Sequence, residues 1–249
     1  MRVAALYDIH GNLPALEAVL QDVRQAGVDQ IIVGGDVLPG PIPRETIACL
    51  RDLDIPTQFI QGNGDREVLA QRRGAQSSTP LPEQVLEVLR WTAQQLHPED
   101  EQMLASWPQT LHFEIPGLGG VLFCHATPRN DTEIFTRLTS DDRLFPVFEG
   151  VNAPLVICGH THMQFDRMVG RTRVVNAGSV GMPFQESGAY WLLLGPNVEL
   201  RRTSYDLQDA AERIRKSKYP QAEDFAAKYM LQPPSEAQTL EMFAKFELK

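Results

Sequence analysis

Seven residues of this chain have the types and the spacing to act on one centre. Asp8 and His10 stand in D-I-H-G-N, Asp36 in G-G-D, Asn63 in G-N-G-D, His125 in F-C-H-A-T, and His160 and His162 in G-H-T-H. The chain has 249 residues and six histidines, and four of those histidines are in this set. Each of the four closes an apolar run or the turn beside one, which predicts a position at a strand tip. Carboxylate and amide oxygens combined with imidazole nitrogens suit two divalent transition ions, and suit calcium or a soft thiolate-bound metal poorly. Two such ions side by side point to hydrolysis at phosphorus.

The elements that must position these residues are legible in outline. The apolar run 2–7 predicts a buried strand leading to Asp8. A helix starts near Leu13, with Asn12 as N-cap and Pro14 in its first turn. Leu13, Leu16, Val19, Leu20 and Val23 form one apolar stripe at helical spacing. I-I-V-G-G-D predicts a second strand ending at Asp36, residues 43–54 a helix, and T-Q-F-I-Q-G-N-G-D a third strand ending at Asn63. Such alternation predicts a parallel sheet, and open α/β sheets place their sites at the carboxyl ends of the strands. Residues 66–107 read as a helical insertion near the site, a polar break followed by helices over about 83–96 and 98–107. L-H-F-E-I and V-L-F-C-H predict strands, the second ending at His125, and P-L-V-I-C leads into G-H-T-H. Residues 131–150 read as helices over the cleft, with Phe135, Leu138, Phe145 and Phe148 as candidate walls. Residues 171–175 and 189–194 read as strands of a second sheet. The tail, 206–249, is polar and helical, with a break at Pro233-Pro234 and a final amphipathic stretch carrying Leu240, Phe243 and Phe246. The expected organisation is one domain over 1–205, with 66–107 inserted, and a helical extension over 206–249 packed on it.

The five segments, in this order, resemble the calcineurin-like metallophosphoesterases, and the resemblance runs from Val3 to about Ser179. It implies a four-layer α/β/β/α sandwich with a dinuclear site at one sheet edge. Matched residue by residue, it implies that Asp8, His10 and His162 hold a first metal, that Asp36 bridges both, and that Asn63, His125 and His160 complete the second. Asp36, Asn63, His125 and Arg129 are then the catalytic group. Arg129, four residues after His125, is the first choice for a substrate phosphate contact, because a guanidinium suits bidentate oxyanion binding. Arg66 and Asn12 are the other substrate-binding candidates. The metals implied are Mn, Fe, Zn, Ni or Co, with Mn favoured, and the chemistry is attack of a metal-activated hydroxide on phosphorus.

One position departs from the family pattern. The third segment commonly reads G-N-H-D, with its His acting as general acid or transition-state stabiliser, and here that position is Gly64. A positioned acid is worth about 10²–10⁴-fold, so its loss weighs most on poor leaving groups. A small bacterial and archaeal branch that lacks this His resembles phosphodiesterases. The expectation is therefore a phosphodiesterase acting on small nucleotide or cyclic phosphodiesters. The alternatives are a dinucleoside polyphosphate hydrolase or protein phosphatase, and, from another class, a metal-binding scaffold without turnover. Restoring the acid by Gly64→His is expected to raise monoesterase activity, and a left-handed turn is the structural reason expected for the glycine.

Composition narrows the partners. The formal net charge is −9, which opposes binding of long nucleic acid through a basic surface. No apolar run reaches the roughly 18 residues of a membrane span. The start M-R-V-A-A-L-Y-D enters a strand at once and lacks a signal-peptide pattern, so the expected setting is cytoplasmic. Cys49, Cys124 and Cys158 are an odd number without paired spacing, which opposes a disulfide framework. A small phosphorylated substrate is the expected partner, with a homo-oligomer left open.

Overall fold

A computed structural model describes residues 1–77 and 80–248. Strand β1 (Val3–Leu6) is apolar and buried at every position, so it needs cover on both faces. Helix α1 (Leu13–Gln25) begins where Asn12 accepts a hydrogen bond from the Ala15 N–H. Strand β2 (Gln30–Val33), helix α2 (Pro43–Arg51) and strand β3 (Thr57–Phe59) follow. Three helices come next: α3 (Asn63–Arg72), α4 (Glu83–Gln95) and α5 (Pro98–Ser106). The chain continues through β4 (Thr110–Ile115), β5 (Gly119–Cys124), α6 (Asp141–Phe148) and β6 (Leu155–Cys158). Strands β7 (Phe165–Val169), β8 (Thr172–Asn176), β9 (Ala189–Leu194) and β10 (Val198–Thr203) complete the sheets. The tail holds α7 (Leu207–Arg215), α8 (Ala222–Phe225) running into a π-helical turn over Ala226–Leu231, and α9 (Glu236–Phe243).

Among the described residues the strands form two five-stranded sheets, ordered β10-β9-β1-β2-β3 and β4-β5-β6-β8-β7. Strands β1, β2 and β3 pair in parallel, as do β5, β6 and β8. The twofold period of a strand sends alternate side chains to opposite faces, and here it sorts them into three cores. Val3, Ala5, Tyr7 and Ile32 of the first sheet meet Val121, Phe123, Ile157 and Val175 of the second. Ala4, Leu6, Ile31 and Val33 face the other way, onto Leu16 and Val19 of α1 and Ile47 of α2. Leu122, Cys124, Val156 and Cys158 face outward from the second sheet, onto Leu144, Val147 and Phe148 of α6. Helix, sheet, sheet and helix are thus four layers, the architecture expected. Tyr7 joins the two sheets, donating its hydroxyl to Ile157 O at 3.1 Å. The sorting also turns both Cys124 and Cys158 away from the neighbouring histidines.

The structure corrects several local expectations. The third strand stops at Phe59, and Asn63 opens a helix: Gly62 is extended and the Asp65 carboxylate accepts the Gly62 N–H, capping α3, a helix the sequence reading did not expect ahead of the polar break. Residues 172–176 and 189–194 do not share a sheet. Strand β9 instead runs antiparallel beside β1, with Val3 opposite Leu194, because an apolar run states that a strand is buried without stating its neighbour. Residues 131–150 hold one helix, α6. Of the four candidate wall residues, Phe135 and Phe148 lie in the outer core, while Leu138 and Phe145 are exposed. In the tail Phe243 is buried, but Phe246 falls beyond α9 and is exposed. Helix α7 packs Ala210, Ala211 and Ile214 into a cluster with Val88 of α4, and Arg213 pairs with Glu17 of α1 at 2.6 Å.

Candidate metal centre

The candidate residues meet because the strand ends turn sharply. Asp8, His10, Asp36, His160 and His162 all have positive φ, between 48° and 66°. A side-chain-bearing residue in this left-handed conformation costs about 1–3 kcal/mol, and such strain gathers at functional sites. The turns are zipped together. His10 N–H donates to Asp36 O at 2.9 Å, Asp8 N–H to Gly35 O at 3.1 Å, and Gly159 N–H to His125 O at 2.8 Å. The His160 N–H donates to Asp8 Oδ2 at 2.8 Å, which ties the second sheet's loop to the first sheet's.

Two groups of side chains result: Asp8 with His10 and His162, and Asp36 with His125 and His160. Within each group one ligand atom per residue lies within 4.8 Å of the others. Asp36 Oδ2 stands 3.7 Å from His10 Nε2 and 3.5 Å from His125 Nε2, so it faces both groups. His10, His125 and His162 each set Nδ1 against a backbone carbonyl, at Pro39 (3.2 Å), Gly34 (3.0 Å) and Met182 (2.8 Å). A carbonyl only accepts, so each Nδ1 carries a proton and each Nε2 is the nitrogen aimed at the centre, free to bind a metal once any proton on it is lost. This outer support is how proteins fix histidine ligands. His160 differs, because its Nδ1 is the atom beside the Asn63 carboxamide, 3.0 Å away.

The arrangement is unfavourable without a cation. His10 Nε2 and His162 Nε2 face each other at 3.2 Å. Asp8 is fully buried, and its Oδ1, with no hydrogen bond among the described groups, lies 3.3 Å from His162 Nε2. One end of the Asn63 amide meets His125 Nε2, His160 Nδ1 and Asp131 O at 3.0–3.1 Å. Either its NH₂ donates to His160 Nδ1 and Asp131 O, or its oxygen accepts from a protonated His125 Nε2 or shares a cation with these atoms. Acceptors converging in a buried space fit metal ions, and the residues present fit two.

Protonation in the metal-free chain follows the same logic. Burial alone would raise both carboxyls; His162 beside Asp8 and His125 beside Asp36 outweigh it and hold both below the usual range. Burial likewise works to lower His125, but the Asp36 charge wins and pushes it up to about 10. His162 is raised against burial by Asp8. His160 is pushed down to about 4 by burial and by the charge on His125, so it is neutral at pH 7.

The remaining candidates are placed less directly. Asn12 is fully buried, with its carboxamide donating to Gly181 O at 2.8 Å and accepting from the Ala15 N–H, so its polar atoms serve the fold. Arg66 forks onto Asp131 at 2.8 and 3.2 Å and reaches Glu67 at 2.7 Å. Arg129 lies on an exposed loop, bound by both Glu133 oxygens at 2.7–3.1 Å. The sequence reading passed over three residues that support the site. Asp65 anchors the Leu38 N–H at 2.9 Å, Ser179 donates to Asp8 O at 2.7 Å, and Phe184 stacks on His162 with ring centroids 5.3 Å apart. Only Asp65 had a signal, an acid three residues after a glycine at a helix start.

Gly64 is explained differently than expected. It does not take a positive φ. A Cβ there would come within 2.4 Å of Leu38 O and 2.9 Å of Pro39, and its N–H donates to Asp36 Oδ1 at 2.7 Å. A histidine side chain therefore cannot be added without displacing the loop that holds Asp36. Any gain in monoesterase activity from Gly64→His therefore requires that loop to shift.

Two predictions follow from this geometry. Gly64→Ala is expected to lower the unfolding free energy by roughly 1–3 kcal/mol, the usual cost of overpacking, and to reduce turnover, as read by urea denaturation and by p-nitrophenol release; a variant equal to wild type in both would contradict the steric account. Because metal ligands must lose their protons and His125 holds one up to about pH 10, metal uptake should release protons. Calorimetric titration of the chelator-stripped protein with Mn²⁺ should show affinity falling roughly tenfold per pH unit for each proton displaced as pH drops from 8 to 6; a pH-independent affinity would rule this out.

Known proteins resemble the chain in family and in fold. Residues 1–195 match the model of the calcineurin-like phosphoesterase superfamily domain. The uncharacterized protein MJ0912 of Methanocaldococcus jannaschii is 29% identical over 241 residues, covering 88% of this chain and 94% of the relative. The crystal structure of a metallophosphoesterase from Sphaerobacter thermophilus is similar at a TM-score of 0.70 and 28% identity, over 92% of this chain and 98% of that one. That of the hypothetical protein PH1004 from Pyrococcus horikoshii shares the fold at a TM-score of 0.77 and 22% identity, over 94% and 99%. With two candidate ligand groups set on a four-layer sandwich, the chain belongs to the calcineurin-like phosphoesterase superfamily.

Proposed function

We propose that this chain is a metal-dependent phosphodiesterase acting on small nucleotide or cyclic phosphodiesters. The observation that carries the reading is a full set of candidate ligands beside a position, Gly64, that offers no acid. When bound, two divalent ions, with Mn²⁺ favoured, supply a water of lowered pKa and Lewis acidity toward phosphate oxygens. The chain's own groups do the rest. Asp8, His10 and His162 would hold one ion, and Asn63, His125 and His160 the other. Asp36 Oδ2 faces both groups and would be the carboxylate shared between them. Backbone carbonyls keep three imidazoles aimed, so the centre is preorganised. Leaving groups that depart as stable anions need no proton from residue 64, which favours activated diesters over monoesters of poor leaving groups.

Arg129 is the side chain proposed to meet a nonbridging phosphate oxygen. Its pair with Glu133 is half exposed on the arginine side, and exposed pairs are worth about 0–1 kcal/mol, so a phosphate dianion or monoanion can displace it. Arg66, forked onto Asp131 and more buried, is better suited to hold the loop that carries Asp131. The free cysteines suit a reducing compartment such as the cytoplasm. No helix among the described residues is long and apolar enough to cross a membrane.

The reading is tested with chelator-stripped protein, assayed on bis-p-nitrophenyl phosphate and p-nitrophenyl phosphate with and without Mn²⁺. The expected result is metal-dependent turnover that favours the diester. Preference for the monoester would overturn the diesterase assignment. Turnover of neither by protein shown to hold two ions would favour a scaffold.

A further inference from the structure

The tail lies beyond the residues matched by the family model, yet it reaches the candidate centre. A cavity of about 200 Å³ has His10 in its wall, with Val85 and Val88 of α4 and Tyr219, Phe225 and Tyr229 of the tail around it. The three aromatics are continuous: Tyr219 and Phe225 have ring centroids 6.1 Å apart, and Phe225 and Tyr229 5.5 Å, both steeply tilted. Gln221 and the Asp224–Lys228 ion pair, 3.0 Å between charged atoms, give the cavity a polar side. Lys228 and Tyr229 are carried by the π-helical turn, an irregularity that re-aims side chains and recurs at functional sites. The same two residues border a second cavity of about 430 Å³ with Phe184 in its wall, and Phe184 stacks on His162. Both cavities therefore adjoin the Asp8–His10–His162 group.

We propose that the cavity beside His10 is a specificity pocket for a planar aromatic group of a phosphoester, a nucleobase being the class it fits, with the C-terminal tail as its wall. The proposal rests on the phosphoesterase reading. An ester held at the ligand cluster has its organic part outside that cluster, and this cavity is the apolar space that shares a ligand with it. An aliphatic wall would accept any alkyl chain. Three adjoining aromatic rings favour a flat π-system through stacking and edge contacts. A volume of about 200 Å³ holds one ring system and excludes a polymer segment. The amide, carboxylate and ammonium at the polar side complement the donors and acceptors on a base edge. The tail thus sets which phosphoester the shared centre receives.

The test is calorimetric binding to full-length, Mn²⁺-loaded protein of adenosine 5′-monophosphate and ribose 5-phosphate, which share sugar and phosphate and differ in the base. The nucleotide is expected to bind roughly tenfold tighter or more, the scale of one base stacked on aromatic side chains. Tyr229→Ala should bring the ratio toward one. So should Val85→Trp, which fills the cavity from a position 41% exposed and spares the core. Equal affinities in the wild-type protein, or an unchanged ratio in both variants when folded, would overturn the pocket. Failure of the phosphoesterase reading registers separately, as absence of binding by inorganic phosphate, and removes the pocket with it.

Discussion

Carboxylates and imidazoles brought together in a dry space must share protons or cations, and this constraint organises the molecule. His10 Nε2 and His162 Nε2 face each other at 3.2 Å, and Asp8 Oδ1 is buried among them without a hydrogen bond from the described residues. Five residues carry left-handed backbone to put them there. Left-handed backbone at side-chain-bearing residues does not favour folding. It persists because the loops are bonded to each other and to two sheets. Bound cations would offset what remains, which would couple metal binding to the stability of the loops.

The sandwich is what makes such convergence affordable. Parallel strands deliver their carboxyl ends to one edge, and the two sheets bring two such edges face to face. Asp8 and Asp36 come from the first sheet, while His125, His160 and His162 come from the second. The link between them is short. Tyr7 reaches across to Ile157, Asp8 Oδ2 receives the His160 N–H, and Gly159 leaves room where a Cβ would lie 2.5 Å from both Tyr7 and Asp8. Glycine at 159 therefore serves the packing of Tyr7 and the ligand Asp8 together.

The sequence made the candidate ligands readable because each follows an apolar run, and because hard and borderline donors recur in a fixed order. The layers were readable because V-A-A-L and L-V-I-C are apolar at every position, so each strand needs cover on both faces. Strand neighbours were not: nothing local distinguishes β9, which joins β1, from β8, which joins β6. Helix α3 was hidden by its polar surface, although Asp65 marked its first turn. Gly64 was read as a turn residue when its requirement is a close approach to Leu38 O, a contact between segments 26 positions apart that no local pattern encodes. The supporting contacts of Ser179, Phe184 and the tail aromatics are likewise long-range, and only the folded chain reveals them.

The central claim is that the two groups hold two divalent ions with Asp36 between them. Anomalous scattering at the manganese edge, from crystals of protein reloaded with Mn²⁺, tests it most directly. The account predicts two peaks, one among Asp8, His10 and His162 and one among Asn63, His125 and His160, each within ligand distance of Asp36. A single peak, or peaks away from these residues, would contradict it.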